Sequence, residues 1–268
     1  MNKIMERLQE YYNIVADRGH EIVGVFLQGS QNYQLDYEGS NIDCKAVVLP
    51  KLNDFILGNK MVGTTLVLDN NEHIDLKDLR LMIECFRKQN INFVEILFTK
   101  FKIVNPKYEE FWQILVDNNE KIAHYNNYSS LKCIVGMALE KHKALEHPYP
   151  ATKDKIDKYG YDGKQLSHQL RLLEFMERYI FGEKYSDCLV SKRKDFLINI
   201  KRNKEYSLEE ARIVSNETMS KISSIKSKYF NNNPVIINKE VEELFNKVLL
   251  DIIRYSLEDE ILGNVGWC

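Results

Sequence analysis

The feature that most constrains this chain is a strand, turn and strand spacing near its start. The apolar run Glu21-Ile22-Val23-Gly24-Val25-Phe26-Leu27 delivers Gly29-Ser30 into a turn, and ten residues on Ser40-Asn41-Ile42-Asp43 leads into a second apolar run, Ala46-Val47-Val48-Leu49. Glycine lets a backbone come close to a phosphate, and the Ser30 hydroxyl and neighbouring N–H groups can donate to phosphate oxygens. Strand alternation puts positions 41 and 43 on one face and Ile42 on the other. Carboxylates at such positions hold hard cations through oxygen. Asp75, in Glu72-His73-Ile74-Asp75-Leu76, supplies a further carboxylate from another predicted strand. Two cations held in this way activate an attacking hydroxyl and stabilise a departing pyrophosphate. Position 41 breaks the scheme, because Asn41 offers a neutral carbonyl oxygen where a charged ligand is expected. Asp75 also has a second reading, as the N-cap of a helix starting at Leu76.

At 268 residues and 44% apolar content the chain can bury a substantial core as one large or two small domains. A net charge of −2 argues against a protein that coats nucleic acid wholesale. The charge is uneven: Lys141 to Lys204 carries 15 basic and 9 acidic side chains, net +6, which leaves −8 for the remainder. That region suits RNA, DNA or nucleotide phosphates, or is an ordinary solvated helical surface. Cys44, Cys85, Cys133, Cys188 and Cys268 are scattered, odd in number and without a CxxC pair, which reads as reduced thiols in a cytoplasmic setting. Charge within Met1–Arg7 and the lack of any 18-residue apolar stretch lead us to expect neither a signal peptide nor a membrane span.

Ile4, Leu8, Tyr11 and Val15 recur at helical spacing up to Gly19 and predict an opening amphipathic helix. Strands are expected near 21–27, 42–49, 62–68 and 72–76, followed by a helix from Leu76 to Gln89. Phe93–Phe98 reads as a short buried helix, although its length also permits a strand. Beyond Tyr108 the periodicity is helical, with a long helix from Tyr125 to Glu146 stopped by Pro148 and Pro150. Ser207 and Glu210 form a capping box for a helix through Lys228, and Asn238 can cap the next. The expected organisation is α+β: a head over 1–105 with a mixed sheet flanked by helices, then a helical region over 106–268. The active site is expected in the cleft between them.

A second constellation lies further on. Lys164, His168 and Arg171 are spaced to share one helix face, with Leu166, Leu170 and Leu173 on another. A Lys-His-Arg stripe near a helix N-terminus suits phosphate, and it equally describes an exposed basic face. Lys192-Arg193-Lys194 and Lys201-Arg202-Asn203-Lys204 flank Phe196-Leu197-Ile198, consistent with an amphipathic helix attracting a polynucleotide or with a solvated lysine face. Tyr125, Tyr128, Tyr159 and Tyr161 can stack bases or serve as core aromatics.

Together Gly29-Ser30, Asn32-Tyr33, Ser40-x-x-Asp43 and Lys45 resemble the DNA polymerase β-like nucleotidyltransferase superfamily. Within it, Phe93-Val94-Glu95-Ile96-Leu97-Phe98-Thr99 and Tyr159-Gly160-Tyr161-Asp162-x-Lys164-x-x-x-His168-x-x-Arg171 resemble a branch of bacterial and phage nucleotidyltransferases, the RNA-repair-pathway DNA polymerase β family. The resemblance spans about Ile22 to Leu173. It implies a polymerase β-like head, an NTP such as ATP, Mg²⁺ or Mn²⁺ in a two-metal site, and transfer of a nucleoside monophosphate to a hydroxyl in the cytoplasm of a bacterium or phage-infected host. Metal ligands map to Asn41, Asp43 and Asp75, which are also the catalytic positions. Gly29, Ser30, Ser40, Lys164, His168 and Arg171 are the expected nucleotide-binding residues. Asn41 departs from the family's Asp and puts catalysis in question, and Gln34 replaces a usual Gly. An RNA 3′ end of tRNA type is the expected acceptor, with a protein hydroxyl, or no transfer at all from a silent nucleotide- or RNA-binding module, as alternatives.

Overall fold

The computed structural model describes residues 3–150 and 152–263, so Cys268 lies outside the described residues. The chain divides into two compact units. The first comprises 1–31, 39–126 and 237–268, and the second 32–38 with 127–236.

In the first unit, helix α1 (Lys3–Ala16) buries Leu8, Tyr11 and Val15, the stripe expected from their spacing. Strands β1 (Glu21–Gln28) and β2 (Asp43–Leu49) follow, then the short helix α2 (Leu52–Ile56), β3 (Gly63–Val67) and β4 (His73–Asp78). Helix α3 (Leu79–Arg87), α4 (Ile91–Val94) with a 3₁₀ turn over Glu95–Leu97, and β5 (Lys102–Val104) complete the sheet region. The five strands run β3-β4-β2-β1-β5, with β2 and β4 parallel and every other pair antiparallel. This is an α+β fold with a mixed sheet flanked by helices. One sheet face carries Ile22, Val25, Leu27, Cys44, Ala46, Val48, Ile74 and Leu76 against α1. Burial of that apolar surface, at roughly 25 cal/mol per Å², is the main force fixing the strands' register.

Three strand boundaries differ instructively from expectation. Strand β2 begins at Asp43, so Asn41 precedes it. Strand β4 runs on to Asp78, whose carboxylate accepts from the Arg80 N–H at 2.9 Å and starts α3 there. The N-cap is therefore Asp78, and Asp75 sits mid-strand. Strand β5 was not anticipated, being three residues long.

A 3₁₀ turn over Pro106–Tyr108, α5 (Glu109–Asp117) and α6 (Asn119–Ala123) also belong to the first unit. The expected boundary at 105/106 thus falls inside it. Trp112 of α5 stacks on Phe26 of β1 at 4.4 Å, which ties this helix to the sheet.

The second unit is helical: α7 (Asn127–Ala144), α8 (Lys153–Tyr159), α9 (Gly163–Ile180), α10 (Tyr185–Leu189), α11 (Lys194–Lys201) and α12 (Leu208–Asn232). A Cβ at Gly163 would lie 2.0 Å from the Ile200 carbonyl oxygen, so α9 and α11 meet where no side chain fits. Ser207 and Glu210 form the expected capping box of α12. The chain then returns to the first unit as α13 (Lys239–Gly263). There Phe245 stacks on Phe86 at 6.1 Å, and the Tyr125 hydroxyl donates to Glu242 at 2.6 Å.

Candidate functional site

The turn after β1 is built around Gly29, whose φ of +90° favours glycine. Its N–H points to the buried Glu95 carboxylate at 3.4 Å. Gln28 is the cross-strand partner of Asp43, so Gly29 and Ser30 begin one residue away from that aspartate. The Gln31 side-chain amide donates to the Asn41 carbonyl at 2.8 Å and links the turn to the approach to β2. Ser40 lies in that same approach, half-buried.

Asn41 is exposed, and its side-chain amide donates to the Asn71 carbonyl at 2.8 Å, in the turn before β4. Asn41 thus lies outside strand β2, with its side chain held by the turn before β4. The Ile42 N–H is taken up instead by the Glu72 carboxylate at 3.0 Å. Glu72 also accepts from the Tyr11 hydroxyl, from Arg7 at 2.9 Å and from Asn70 at 2.6 Å. Burial alone would raise the Glu72 carboxyl, but these donors outweigh it and hold the group below the ordinary range. Glu72 is a brace that holds the start of β2 to α1.

Asp43 accepts from the His73 N–H at 2.8 Å, with the His73 ring Nδ1 at 3.2 Å from the same oxygen. Two residues further along the parallel pair, Lys45 stands opposite Asp75. By strand alternation Asp43, Lys45, Asp75 and Lys77 share one sheet face, opposite to the α1 face. The Lys45 ammonium meets one Asp75 oxygen at 2.9 Å, and Lys77 meets the other at 3.5 Å. Lys45 is almost wholly buried and lies 3.8 Å from the centre of the Phe93 ring. Burial lowers its pKa despite the pull of Asp75 in the other direction. Both Asp75 oxygens are thus engaged by ammonium groups, while Asp43 keeps a partly exposed side chain.

This donor set fits a divalent cation only in part. Asp43 offers carboxylate oxygens held in place by β4, Asn41 offers a neutral oxygen from a side chain tethered elsewhere, and Asp75 would have to exchange two ammonium partners before it could ligate. Among the described residues no group of three or more His, Cys, Asp and Glu side chains is gathered to hold a metal ion. The features missed in the sequence are the Lys45–Asp75 pair and Glu95. A lysine interrupting the apolar run of β2 was the available signal for the first.

In the second unit, Lys164 is exposed, His168 is half-buried and Arg171 is buried. The reading of this stripe as an exposed basic face therefore fails beyond Lys164. Leu166, Leu170 and Leu173 are buried as expected. Arg171 lies 3.7 Å over the ring of Tyr33, and Lys201 donates to the Leu35 carbonyl at 3.0 Å. The segment 32–38 is thereby packed into the helical unit. Burial first, then Arg171, Lys164, Lys141 and Lys201, push the His168 pKa well below its ordinary value. The basic runs around α11 are partly engaged: Lys192 pairs with Glu183 at 3.1 Å, and Lys194 contacts Gln34. Tyr125 and Tyr161 are core residues, and Tyr128 stacks on Phe230 at 3.7 Å. Among the described residues no helix is long and apolar enough to cross a membrane. Neither a protein-family model nor a curated protein sequence matches the chain.

Proposed function

We propose that the chain is a nucleotidyltransferase-type protein that binds an NTP on its head and moves a nucleoside monophosphate to a hydroxyl, with an RNA 3′ end as acceptor. The observation that carries this reading is the sharing of one sheet face by Asp43 and Asp75 on adjacent parallel strands, with the Gly29-Ser30 turn starting beside Asp43. The Gly29-Ser30 turn cradles the phosphates, with the Ser30 hydroxyl donating to them, and Asp43 is the anchoring cation ligand. Asp75 joins it by releasing Lys45 and Lys77, which then face the incoming phosphates. Bound Mg²⁺ or Mn²⁺ would supply charge neutralisation at the phosphates and activation of the acceptor hydroxyl. Asn41 leaves this set one charge short, so transfer is slow in this chain.

A second reading, a silent nucleotide-binding module, is favoured by the Asn41 tether to Asn71 and by the two ammonium groups on Asp75. The deciding experiment incubates the purified chain and its Asn41→Asp form with labelled NTPs, total RNA and cell lysate. Label in RNA supports transfer to RNA, and label in protein moves the acceptor to a protein hydroxyl. No label from either form, with NTP still bound, leaves the silent module.

A further inference from the structure

The geometry points to a sugar phosphate site in the second unit, where the end of α7 meets α12, with the His142 ring nitrogen Nε2 accepting from the sugar hydroxyls. The orientation of this imidazole is fixed from the interior outward. The Gln169 side chain comes within 3.0 Å of the Ser215 carbonyl oxygen, and since a carbonyl only accepts, the atom there is the amide nitrogen. The Gln169 amide oxygen therefore faces the Ser215 hydroxyl, 2.7 Å away, and takes its proton. Ser215 Oγ is left with lone pairs alone, so His142 Nδ1, at 2.8 Å, is the donor. Gln169 and Ser215 are wholly buried, which shields this relay from water. A neutral imidazole with its proton on Nδ1 presents a bare lone pair at Nε2. Among the described residues nothing pairs with Nε2.

His142 lines a cavity of about 310 Å³, near the lower end of the roughly 300–1,000 Å³ range of small-molecule sites. Lys143, Glu146, Arg212 and Asn216 line it too. Arg212 donates from Nε and Nη2 to the two Glu146 oxygens at 2.8 and 2.6 Å, which leaves Nη1 to donate elsewhere. The same fork holds the Glu146 carboxyl below the ordinary range, so Glu146 only accepts, and its oxygens keep further lone pairs. Lys143 is exposed and only donates. The walls thus divide into pure acceptors, His142 Nε2 and Glu146, and pure donors, Arg212 and Lys143. A ligand that satisfies both kinds carries hydroxyl protons and anionic oxygens in one small molecule. Inorganic phosphate has no vicinal hydroxyls and a free sugar has no anion, whereas a pentose phosphate has both. No Phe, Tyr or Trp is among the described lining residues to stack a base, so the walls read the sugar phosphate and not a nucleobase. This site goes beyond the nucleotidyl-transfer reading and does not rest on it.

The test begins with long-range proton–nitrogen NMR of the full chain at about pH 8, above the ordinary histidine pKa of about 6.5. The His142 proton is expected on Nδ1, and a proton on Nε2 overturns the site. Ribose 5-phosphate is then titrated calorimetrically. Saturable binding is expected, weakened at least about tenfold in His142→Phe and in the exposed Lys143→Gln, as loss of a charge-assisted or buried hydrogen bond implies. Circular dichroism verifies that both variants fold. Absence of binding, or binding unchanged in either variant, overturns the site. Ribose and inorganic phosphate should each bind at least about tenfold more weakly than ribose 5-phosphate, and equal affinity for either overturns the pairing of acceptors with hydroxyls and donors with phosphate. Displacement by adenosine 5′-monophosphate makes the ligand the sugar phosphate of a nucleotide, and its exclusion makes the ligand a free sugar phosphate; both support the site.

Discussion

Lys45 and Asp75 depend on each other, because a nearly buried ammonium deprived of its carboxylate is among the most costly defects a core can hold. Asp75→Asn should therefore destabilise the first unit by about 3–5 kcal/mol in urea denaturation. Adding Lys45→Met should recover most of that loss, and the double-mutant cycle measures the coupling. A negligible effect of Asp75→Asn would mean that the pair does not hold the sheet. Asn41 behaves in the opposite way. Its amide donates to the Asn71 carbonyl, a bond no carboxylate can make, so Asn41→Asp should lose about 1 kcal/mol without cation. With Mg²⁺ and NTP it should gain about tenfold in transfer, equivalent to ~1.4 kcal/mol, and unchanged transfer on every acceptor would exonerate Asn41. That Asp43 and Asp75 each sit on a strand was legible in the sequence because strand patterns are local, whereas the parallel pairing of β2 with β4 is not. The tether of Asn41 was not legible either, since it depends on Glu72 capturing the Ile42 N–H from thirty residues away.

Elements read well where their cause is local. The apolar runs of β1 and β2, the stripe of α1 and the Ser207–Glu210 box are each written within one element, and each forms where expected. The start of α3 was misread because Asp75 and Asp78 are both plausible caps, and only pairing of β4 with β2 as far as Asp78 excludes the first. Strand β5 exists because β1 offers it an edge, a cause outside its own three residues. The approach of α9 to α11 is equally illegible, since Gly163 reads as an ordinary glycine after Asp162. Its consequence is sharp: Gly163→Ala would drive a methyl group to 2.0 Å from the Ile200 carbonyl oxygen. We expect a loss of about 3 kcal/mol, at the top of the usual overpacking range, read by thermal or urea denaturation. A loss below about 0.5 kcal/mol, within the range of ordinary surface changes, would show that α11 shifts freely.

Across the molecule, acid should act on the second unit through His168. Its pKa is held well below the ordinary value by burial and by surrounding cations, so the unfolded chain takes up a proton that the folded chain refuses. Stability contributed in this way is complete above the ordinary histidine pKa of about 6.5 and declines as pH falls below it. Hydrogen-exchange protection in α9, taken relative to the intrinsic rate at each pH, should fall between about pH 6.5 and 5 in the native chain and much less in His168→Gln. An equal fall in both would place the sensitivity elsewhere. The division at 126/127 was beyond sequence reading for a similar reason: helical periodicity identifies α5, α6 and α13 without saying which core each one covers. Because α13 follows the whole helical unit along the chain and yet stacks Phe245 on Phe86, the order of synthesis matters. On the ribosome, the sheet and α3 emerge first but wait through more than a hundred residues with this apolar face uncovered. A nascent chain paused anywhere in the helical unit is therefore a natural client for a holding chaperone, and a frameshift there would release a head that is nearly all translated and still unfinished.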